Sequence, residues 1–427
     1  MFKRLLYTHD WILTSMMFLI LAIGLMTLYS TSIGIAGSSD FQRQMIFAIT
    51  GIGIYFGISF FDYSYLQYKP VVITIYIIDV FLLILGALAG RTAGGATRWL
   101  AVGALNIQPS EITKGVIIIA LSSFLVYTKQ FGYKRLLYAA CIALPLICLV
   151  FIEPSLSASL VILVIAGSIY FFSGEEQIKN VLLIICILLA INIGGEFFMP
   201  HFLLPTVRGM SIGFLLLSLF CIGGFSRVLS LKTVLIALCI GLIIGIGTKD
   251  VLWNKVLKPY QKQRITAFIN PAEESNIGAF QVNQSKIAIG SGELLGKGFA
   301  QGTQSRLDFL PDHDTDFIFA SFSEEFGLIG DSVLLALFGL FLFSIMSIAD
   351  KTTDPFGFYL LCGIIALFIF QTFANIGINT GLLPSTGIPM PLVSYGGSSL
   401  WVTCALLGLV QSIYRSTKKK RWQSIEL

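Results

Sequence analysis

Charged residues, histidines and cysteines in positions that favour pairing are all scarce in this sequence. Only 12% of its 427 residues are charged, about half the share found in soluble domains. The net charge of +5 is small for this length and is not gathered into a basic face, so nucleic-acid binding is not expected. The three histidines, His9, His201 and His313, are far apart along the chain, which argues against a zinc site.

The cysteines exclude disulfide-rich and redox proteins. All seven lie within apolar segments and none forms a C-x-x-C motif, so each is expected to pack as a small hydrophobic residue. Apolar residues, in contrast, make up 56% of the chain, and the mean hydropathy is +0.84. This composition predicts a polytopic membrane protein, and neither a soluble domain nor an internal repeat is visible.

Apolar stretches long enough to cross a bilayer recur along the chain. The first, Trp11 to Ser30, is longer than the apolar core of a cleavable signal and is expected to be retained. Three others lie at 179–199, 210–225 and 231–248. We therefore predict an all-α fold of about twelve transmembrane helices, which forms a single membrane domain over residues 1–427.

Basic residues predict the orientation of this bundle. Lys and Arg gather in alternate loops, as expected of loops on the cytoplasmic side. Lys3 and Arg4 lie at the N-terminus, and a basic run extends from Lys418 to Arg421. Both termini are therefore predicted to be cytoplasmic, with residues 416–427 as a basic tail on the lipid surface.

Three polar segments between the predicted spans are too distinctive to be plain connections. They cover residues 90–114, 249–316 and 381–399, and the second is predicted to be a large external loop. The third contains prolines and paired glycines that exclude one continuous helix. Broken backbone at membrane depth is tolerated only beside protein or a water-filled cavity, so this segment is predicted to line a cavity.

Four motifs stand in these segments. They read NIQPSEITK at 106–114, QSKIAIGSGELLGKGFAQGTQS at 284–305, LPDHDTDFIFASFSEEFGLIG at 310–330 and PLVSYGGSS at 391–399. In this order they resemble the SEDS family (shape, elongation, division and sporulation proteins). A further stretch, YQKQRITAFINP at 260–271, resembles the RodA branch of that family more than the FtsW branch.

The resemblance implies an activity and its partners. It implies a peptidoglycan glycosyltransferase of the bacterial plasma membrane, with its active site facing outside. Such an enzyme polymerises lipid II into β-1,4 glycan strands during cell elongation and releases undecaprenyl diphosphate. A class B penicillin-binding protein, which is a transpeptidase, is the implied partner, and a divalent cation, Mg or Mn, is the implied cofactor. Family members have about ten spans, so two of the helices between 179 and 248 are expected to be an insertion.

The sequence departs from the family pattern at two places. Where the family often has an aspartate after the fifth span, this chain has Ser155, with Glu153 two residues earlier. This departure leaves open whether the acidic role is kept, and Glu153 is the candidate to replace the missing aspartate. The family's usual histidine before the Thr-Asp pair is Asp314 here.

Asp316 is the predicted general base. It matches the aspartate of the family's T-D-F-I-F motif and stands at the mouth of an apolar helix, where desolvation favours the protonated form. The alternative is that Asp316 only offsets the dipole at the N-terminus of that helix. Asp312 and Asp314 are candidate metal ligands, and solvated side chains are the alternative for both.

The first polar segment supplies candidate substrate-binding residues: Arg98, Gln108, Ser110, Glu111 and Lys114. Arg98 and Lys114 are predicted to bind diphosphate or sugar, with Glu111 orienting them. Because Lys114 follows Glu111 by three residues, an ion pair that closes the top of a helix remains the alternative. Gln108 and Ser110 are predicted to hydrogen-bond sugar or backbone.

The later segments complete the predicted substrate-binding set with Lys286, Lys297, Gln304 and Ser394. Both lysines stand among glycines, a pattern that fits an anion-binding loop as well as tight turns. Ser394 is expected to shape the cavity wall.

Polar residues inside the last predicted spans complete the picture. At least one of Glu324 and Glu325 is expected to face the cavity, because an unpaired carboxylate is costly in lipid. Asn375 and Asn379 are four residues apart and are predicted to brace the cavity wall by hydrogen bonds between helices.

Two other functions fit parts of the sequence. A transporter or lipid flippase also has broken helices and polar groups within the membrane. A transporter, however, is expected to show related halves and charges near the midplane, whereas the candidate residues here gather towards one side. The third possibility is a non-catalytic scaffold of the cell-wall machinery.

Overall fold

The computed structural model describes residues 9–33, 39–93, 96–102, 105–128, 133–153, 155–173, 258–269, 277–304 and 309–423. The chain forms two compact units, one of residues 1–170 with 280–427 and one of residues 171–279. The elements are α1 (Trp11–Ile33), α2 (Asp40–Phe60), a 3-10 helix (Tyr63–Gln67), α3 (Lys69–Ala89), β1 (Arg91–Ala93), β2 (Ala96–Val102), β3 (Leu105–Ile107), α4 (Pro109–Tyr127), α5 (Tyr133–Ile152), α6 (Leu156–Ser173), α7 (Pro259–Ile269), α8 (Ile277–Ser291), α9 (Ile318–Lys351), α10 (Pro355–Asn379) and α11 (Gly397–Gln423).

The chain is a multi-pass, almost wholly α-helical membrane protein, as predicted. Within the described residues, eight helices are long and apolar enough to span a bilayer, and Leu137–Ile152 is a shorter apolar helix. The spans predicted at 179–199, 210–225 and 231–248 lie outside the described residues. The total of about twelve spans, the two-helix insertion and the single domain therefore stay predictions.

The polar segments contain more regular structure than the sequence predicted. Strands β1, β2 and β3 form a small antiparallel sheet between α3 and α4, with Arg91 opposite Trp99 and Leu100 opposite Ile107. The long segment 249–316 includes the helices α7 and α8. This segment is therefore not a plain loop.

Helices α4 and α10 lie at the centre of the bundle. Helix α4 contacts α3, α5, α10 and α11, while α10 also packs against α9. Small residues allow these helices to approach closely. Gly363 of α10, for example, leaves room for Ile118 and Ile169, and a Cβ at Gly24 would collide with the backbone of Val393.

Hydrogen bonds show which chain segments share an end of the bundle. At one end, Arg415 Nη2 donates to Phe60 O at 2.7 Å and His9 Nε2 lies 3.4 Å from Tyr55 Oη, so the start of α1 and the last part of α11 meet the same end of α2. At the opposite end, Gln44 near the start of α2 accepts the backbone N–H of Gly396 at 3.1 Å. Residues 9 and 415 therefore lie at the same end, as expected if both termini are on one side of the membrane.

Helix α9 is broken at Gly327, whose φ of 62° and ψ of −167° are not helical. The break leaves carbonyl groups on its first half without helical donors. The backbone N–H of Lys297 donates to Glu324 O, and that of Gly298 donates to Glu325 O, both at 3.0 Å. A neighbouring loop thus satisfies the interrupted hydrogen-bond ladder.

The same loop also accepts hydrogen bonds from backbone N–H groups at the start of the second half of α9. These N–H groups lose their helical acceptors because of the break. Leu328 N donates to Glu293 O at 2.9 Å, and Ile329 N donates to Leu294 O at 3.1 Å. We call residues Gly292–Gly298 the clasp. Its glycines pack close to the broken helix, because a Cβ on Gly292 would collide with Ser323 O and one on Gly296 with Glu325 O.

The first testable prediction concerns the clasp. Gly296 has a φ of +79°, which L side chains adopt only with strain, so Gly296→Ala is expected to destabilise the protein by about 2 kcal/mol or more. The measurement is the temperature at which half of the detergent-purified protein is lost from its size-exclusion peak. Gly290→Ala is the control, because its Cβ would enter open space. Equal stability of the two variants would contradict a fixed clasp.

Candidate active site

A short turn of residues 310–317, here called the Asp316 turn, leads directly into α9. Asp312 has a φ of 55°, and its carbonyl accepts hydrogen bonds from Thr315 N at 3.2 Å and Phe317 N at 3.1 Å. Aspartate tolerates this backbone conformation better than most residues. Asp316 is half-buried at the last step of the turn.

Two asparagines of α10 hold the Asp316 backbone. The side-chain nitrogens of Asn375 and Asn379 each donate to Asp316 O at 2.9 Å. Asn375 also donates to Ile388 O at 2.8 Å. Both asparagines are fully buried, so the sequence-based prediction of an interhelical brace is confirmed.

Asn379 also supplies the N-terminal cap of α9. The N-cap residue Phe317 has no side chain that can accept a hydrogen bond. Asn379 Oδ1 instead accepts from Ala320 N at 3.0 Å, and its backbone carbonyl accepts from Ser285 Oγ of α8 at 2.8 Å. One side chain therefore satisfies a donor that a Ser, Asp or Asn at the cap position would normally satisfy.

The segment before α11 holds the other side of the Asp316 turn. Ser394 Oγ donates to Thr315 O at 2.6 Å and accepts from Met390 N at 2.8 Å. Tyr395 N donates to Asp314 O at 2.8 Å. Burial, followed by the nearby Asp40 carboxylate, raises the pKa of the Tyr395 phenol. The hydroxyl of Ser394 thus contacts the backbone of the turn. A structural role of this kind fits a residue that was predicted to shape the cavity wall.

The other acids of the turn each have a side-chain partner. Gln281 Nε2 donates to Asp312 Oδ2 at 3.3 Å, and His313 Nε2 lies 2.6 Å from Asp314 Oδ1. Among the described residues, no group of three or more His, Cys, Asp or Glu side chains is placed to hold a metal ion. The role of Asp312 and Asp314 as metal ligands therefore stays a prediction.

A second polar group lies at the start of α4. Lys114 Nζ is 2.6 Å from Glu111 Oε2, and both side chains are buried, so the ion pair considered from the sequence is present. Gln108 Nε2 donates to Ser110 Oγ at 2.9 Å. Arg98 lies in β2, which packs against α4.

Buried acids surround this second group. Glu153 is fully buried, and its Oε1 occupies the space where a Cβ on Gly86 would lie, close to Pro109 at the start of α4. Asp79 of α3 accepts a hydrogen bond from Thr113 Oγ1 at 3.1 Å. The sequence analysis missed Asp79, although a single acid within an apolar run was signal enough to single it out.

A third polar group lies beside the clasp. Glu324 Oε1 is 2.7 Å from Lys297 Nζ and also accepts from Thr303 N at 2.8 Å and Gln304 N at 3.1 Å. The charge of Lys297 is therefore matched by a fully buried carboxylate. Lys286 is exposed, and its side chain lies against Gly381 just beyond the end of α10.

The predicted site residues thus form separate groups and do not come together in one cluster. Asp316 and Ser394 belong to the braced turn, and Lys286 belongs to α8, which Ser285 links to that brace. The members on α4 form their own buried group, while Lys297 and Gln304 surround Glu324.

The bundle of apolar helices defines a polytopic membrane protein. Its centre is polar, because it contains the Asp316 turn and the break in α9 to which the clasp is bonded. Comparison with known proteins specifies the class further. The chain belongs to the FtsW/RodA/SpoVE family, whose model, described as "Cell cycle protein", matches residues 10–204 and 209–419. The family prediction is confirmed.

Individual relatives support the RodA branch. Peptidoglycan glycosyltransferase RodA of Treponema pallidum (strain Nichols) is 31% identical over 422 residues, which cover 95% of this chain and 97% of the relative. Peptidoglycan glycosyltransferase MrdB of Escherichia coli (strain K12) is 33% identical over 347 residues, covering 81% and 78%.

Solved structures confirm the fold. A chain from a peptidoglycan synthase complex aligns with a TM-score of 0.68 at 24% identity, covering 96% of this chain and 98% of the other. The crystal structure of RodA from Thermus thermophilus aligns with a TM-score of 0.61 at 22% identity, covering 96% and 97%.

The second prediction separates the two interpretations of the Glu111–Lys114 pair. Lys114→Met alone leaves a buried carboxylate without its partner and is expected to cost about 3–5 kcal/mol in stability. The double variant Glu111→Leu with Lys114→Met is expected to recover most of that loss. If the double variant folds and keeps activity, the pair is structural; if it folds without activity, the pair serves the substrate. A single variant as stable as the wild type would contradict both interpretations.

The third prediction tests the brace. Asn379→Ala removes one donor to Asp316 O and the cap of α9, so Asp316 is expected to lose its position. The polymerisation rate at saturating substrate should fall about ten- to a hundredfold, with little change in KM. Thr380→Ala is the control, because that hydroxyl bonds only within its own helix, to Ile376 O and Gly377 O. A variant that folds and keeps its full rate would show that the brace is dispensable.

Proposed function

We propose that this protein is a RodA-type peptidoglycan glycosyltransferase that polymerises lipid II into β-1,4 glycan strands during cell elongation. The observation that carries the proposal is the position of Asp316. Its turn is fixed by donors from Asn375, Asn379, Ser394 and Tyr395, at the mouth of a membrane-spanning helix. Family membership and relatives named as peptidoglycan glycosyltransferases support it.

In the proposed reaction, Asp316 acts as general base. Its carboxylate accepts the proton of the acceptor sugar's 4-hydroxyl as that oxygen bonds to the anomeric carbon of the donor. The bond between that carbon and the diphosphate breaks, and undecaprenyl diphosphate leaves with the electron pair. A rigid backbone at Asp316 favours this step, because proton transfer needs the carboxylate within hydrogen-bond distance of the hydroxyl.

The leaving diphosphate needs positive charge nearby. Lys286 is exposed and available for this role, and Arg98 and Lys114 remain candidates. Lys297 is already matched by Glu324, so its proposed role is to hold the clasp and the Thr303–Gln304 backbone in place. The described residues contain no cluster of three or more possible metal ligands, so no step is assigned to the expected Mg or Mn.

We propose that the Asp316 end faces outside the cell. That end is opposite the one where His9 and Arg415 meet α2. The basic tail at 416–427 follows Arg415 and favours the cytoplasmic side. The lipid-linked substrate is therefore proposed to reach Asp316 from the external leaflet.

A class B penicillin-binding protein is the proposed partner. A structurally similar protein belongs to a peptidoglycan synthase complex that coordinates polymerisation and crosslinking, which supports this assignment. Because a transpeptidase uses the polymer as its substrate, the two activities belong on the same side of the membrane.

The fourth prediction tests the base in a reconstituted assay with purified lipid II. Asp316→Asn keeps the shape of the side chain but cannot accept the proton, so glycan synthesis should fall about a hundredfold or more. Asp312→Asn is the control, because Asp312 is exposed and bonds only Gln281 through its side chain among the described residues.

Each outcome of that assay favours one function. Loss of polymer with Asp316→Asn alone supports the enzyme. Lipid translocation without polymer by the wild type favours a flippase, and neither activity with the partner present favours a scaffold. An unchanged rate in Asp316→Asn would overturn the assignment of the base.

A further inference from the structure

The depth of the clasp relative to the bilayer follows from α9, because the clasp is hydrogen-bonded to both sides of the break in that helix. The second half of α9, from Leu328 to Ala349, is mostly apolar and has Asp331 as its one charged residue, whose Oδ1 accepts from Ser323 Oγ at 2.8 Å. That stretch of about 22 residues is roughly 33 Å long, close to the thickness of the hydrocarbon core. Asp350 and Lys351 mark its other limit. The break therefore falls where α9 reaches one surface of the bilayer.

Two other helices place this surface at the same level. Helix α1 begins at Trp11, and about 20 residues of apolar helix bring the chain across the bilayer to Ser30. Ser30 Oγ donates to the Glu325 carboxylate, two residues before the break. In α10, a similar length from Phe356 ends near Asn375, the residue that braces Asp316.

The clasp presents large apolar side chains outward at this level. Leu294 is 63% exposed and Leu295 is 78% exposed, although their backbone is held against the broken helix. The α9 residues to which the clasp is bonded, Leu328 and Ile329, are also more than half exposed. These four exposed apolar side chains therefore lie on two neighbouring segments that are joined by backbone hydrogen bonds.

The neighbouring residues favour the boundary of the bilayer over its centre. Glu293, next to Leu294, is exposed and charged. Phe299, just after the clasp, stacks on Tyr29 of α1 with ring centroids 6.4 Å apart. Tyrosine, with its amphipathic ring, is enriched where membrane and water meet.

We propose that the clasp is embedded in the bilayer boundary at the Asp316 end, with Leu294 and Leu295 among the lipid acyl chains. Irregular backbone is tolerated at this depth only if its polar groups have partners. The broken ladder of α9 provides these partners for the backbone of the clasp, and the clasp does the same for α9. The membrane surface would thus reach the clasp, residues 292–298, within the segment 249–316 that was predicted from the sequence to be a large external loop.

The fifth prediction measures the depth of the clasp directly, and it does not depend on the reaction. A cysteine-free variant receives Leu295→Cys, is labelled with an environment-sensitive fluorophore and is reconstituted in vesicles. Acyl chains brominated near the headgroup are expected to quench at least half of the emission, and chains brominated near the methyl end are expected to quench less.

Two matched positions bracket the expected result. Leu340→Cys, near the middle of the stretch from Leu328 to Ala349 and 53% exposed, should be quenched most by bromine near the methyl end. Gln301→Cys, exposed and polar a few residues after the clasp, should respond to iodide in the water instead.

Three outcomes decide the proposal. Shallow lipid quenching at position 295 supports it. Quenching by iodide, as at position 301, would place the clasp in water and overturn it. Protection from both quenchers would show that protein covers this face, which would overturn lipid as its occupant. If Leu295→Cys fails to fold, Leu294→Cys provides the same measurement.

Discussion

Backbone hydrogen bonding at membrane depth is the constraint on which the centre of this protein depends. Helix α9 breaks at Gly327, and the backbone groups that lose their helical partners there need other partners within the protein. The clasp resolves this by exchanging hydrogen bonds with both halves of the helix. Two irregular segments that are each unfavourable alone therefore become stable together.

This exchange also explains why the first half of α9 can be so polar. Glu324 and Glu325 are almost fully buried, yet one is surrounded by Lys297, Thr303 and Gln304 and the other bonds Ser30. Buried charges are costly unless they are paired and hydrogen-bonded. Because the clasp and the loop after it provide those donors, polar side chains can line the interior close to Asp316.

The sequence predicted the helices well because long apolar runs show their type and approximate ends. The motifs also identified the family and directed attention to Asp316, while the four-residue spacing of Asn375 and Asn379 directed attention to those two side chains. Position in the chain could not show, however, that the glycines at 292 and 296 contact a break more than thirty residues later. The break itself was equally hidden, since Gly327 lies in an otherwise ordinary helical sequence. Asp79 and Glu153 were present in the apolar segments, but only the folded packing places them beside α4.

The position of Asn379 has a mechanical consequence. Its amide and carbonyl groups join α8, the Asp316 turn, α9 and α10 within one set of hydrogen bonds. Rotation of α10 by a single residue would turn the amide away from all of these partners at once. A displacement of this end of α10 would therefore act directly on the backbone of Asp316, because Asn375 and Asn379 both bond its carbonyl oxygen.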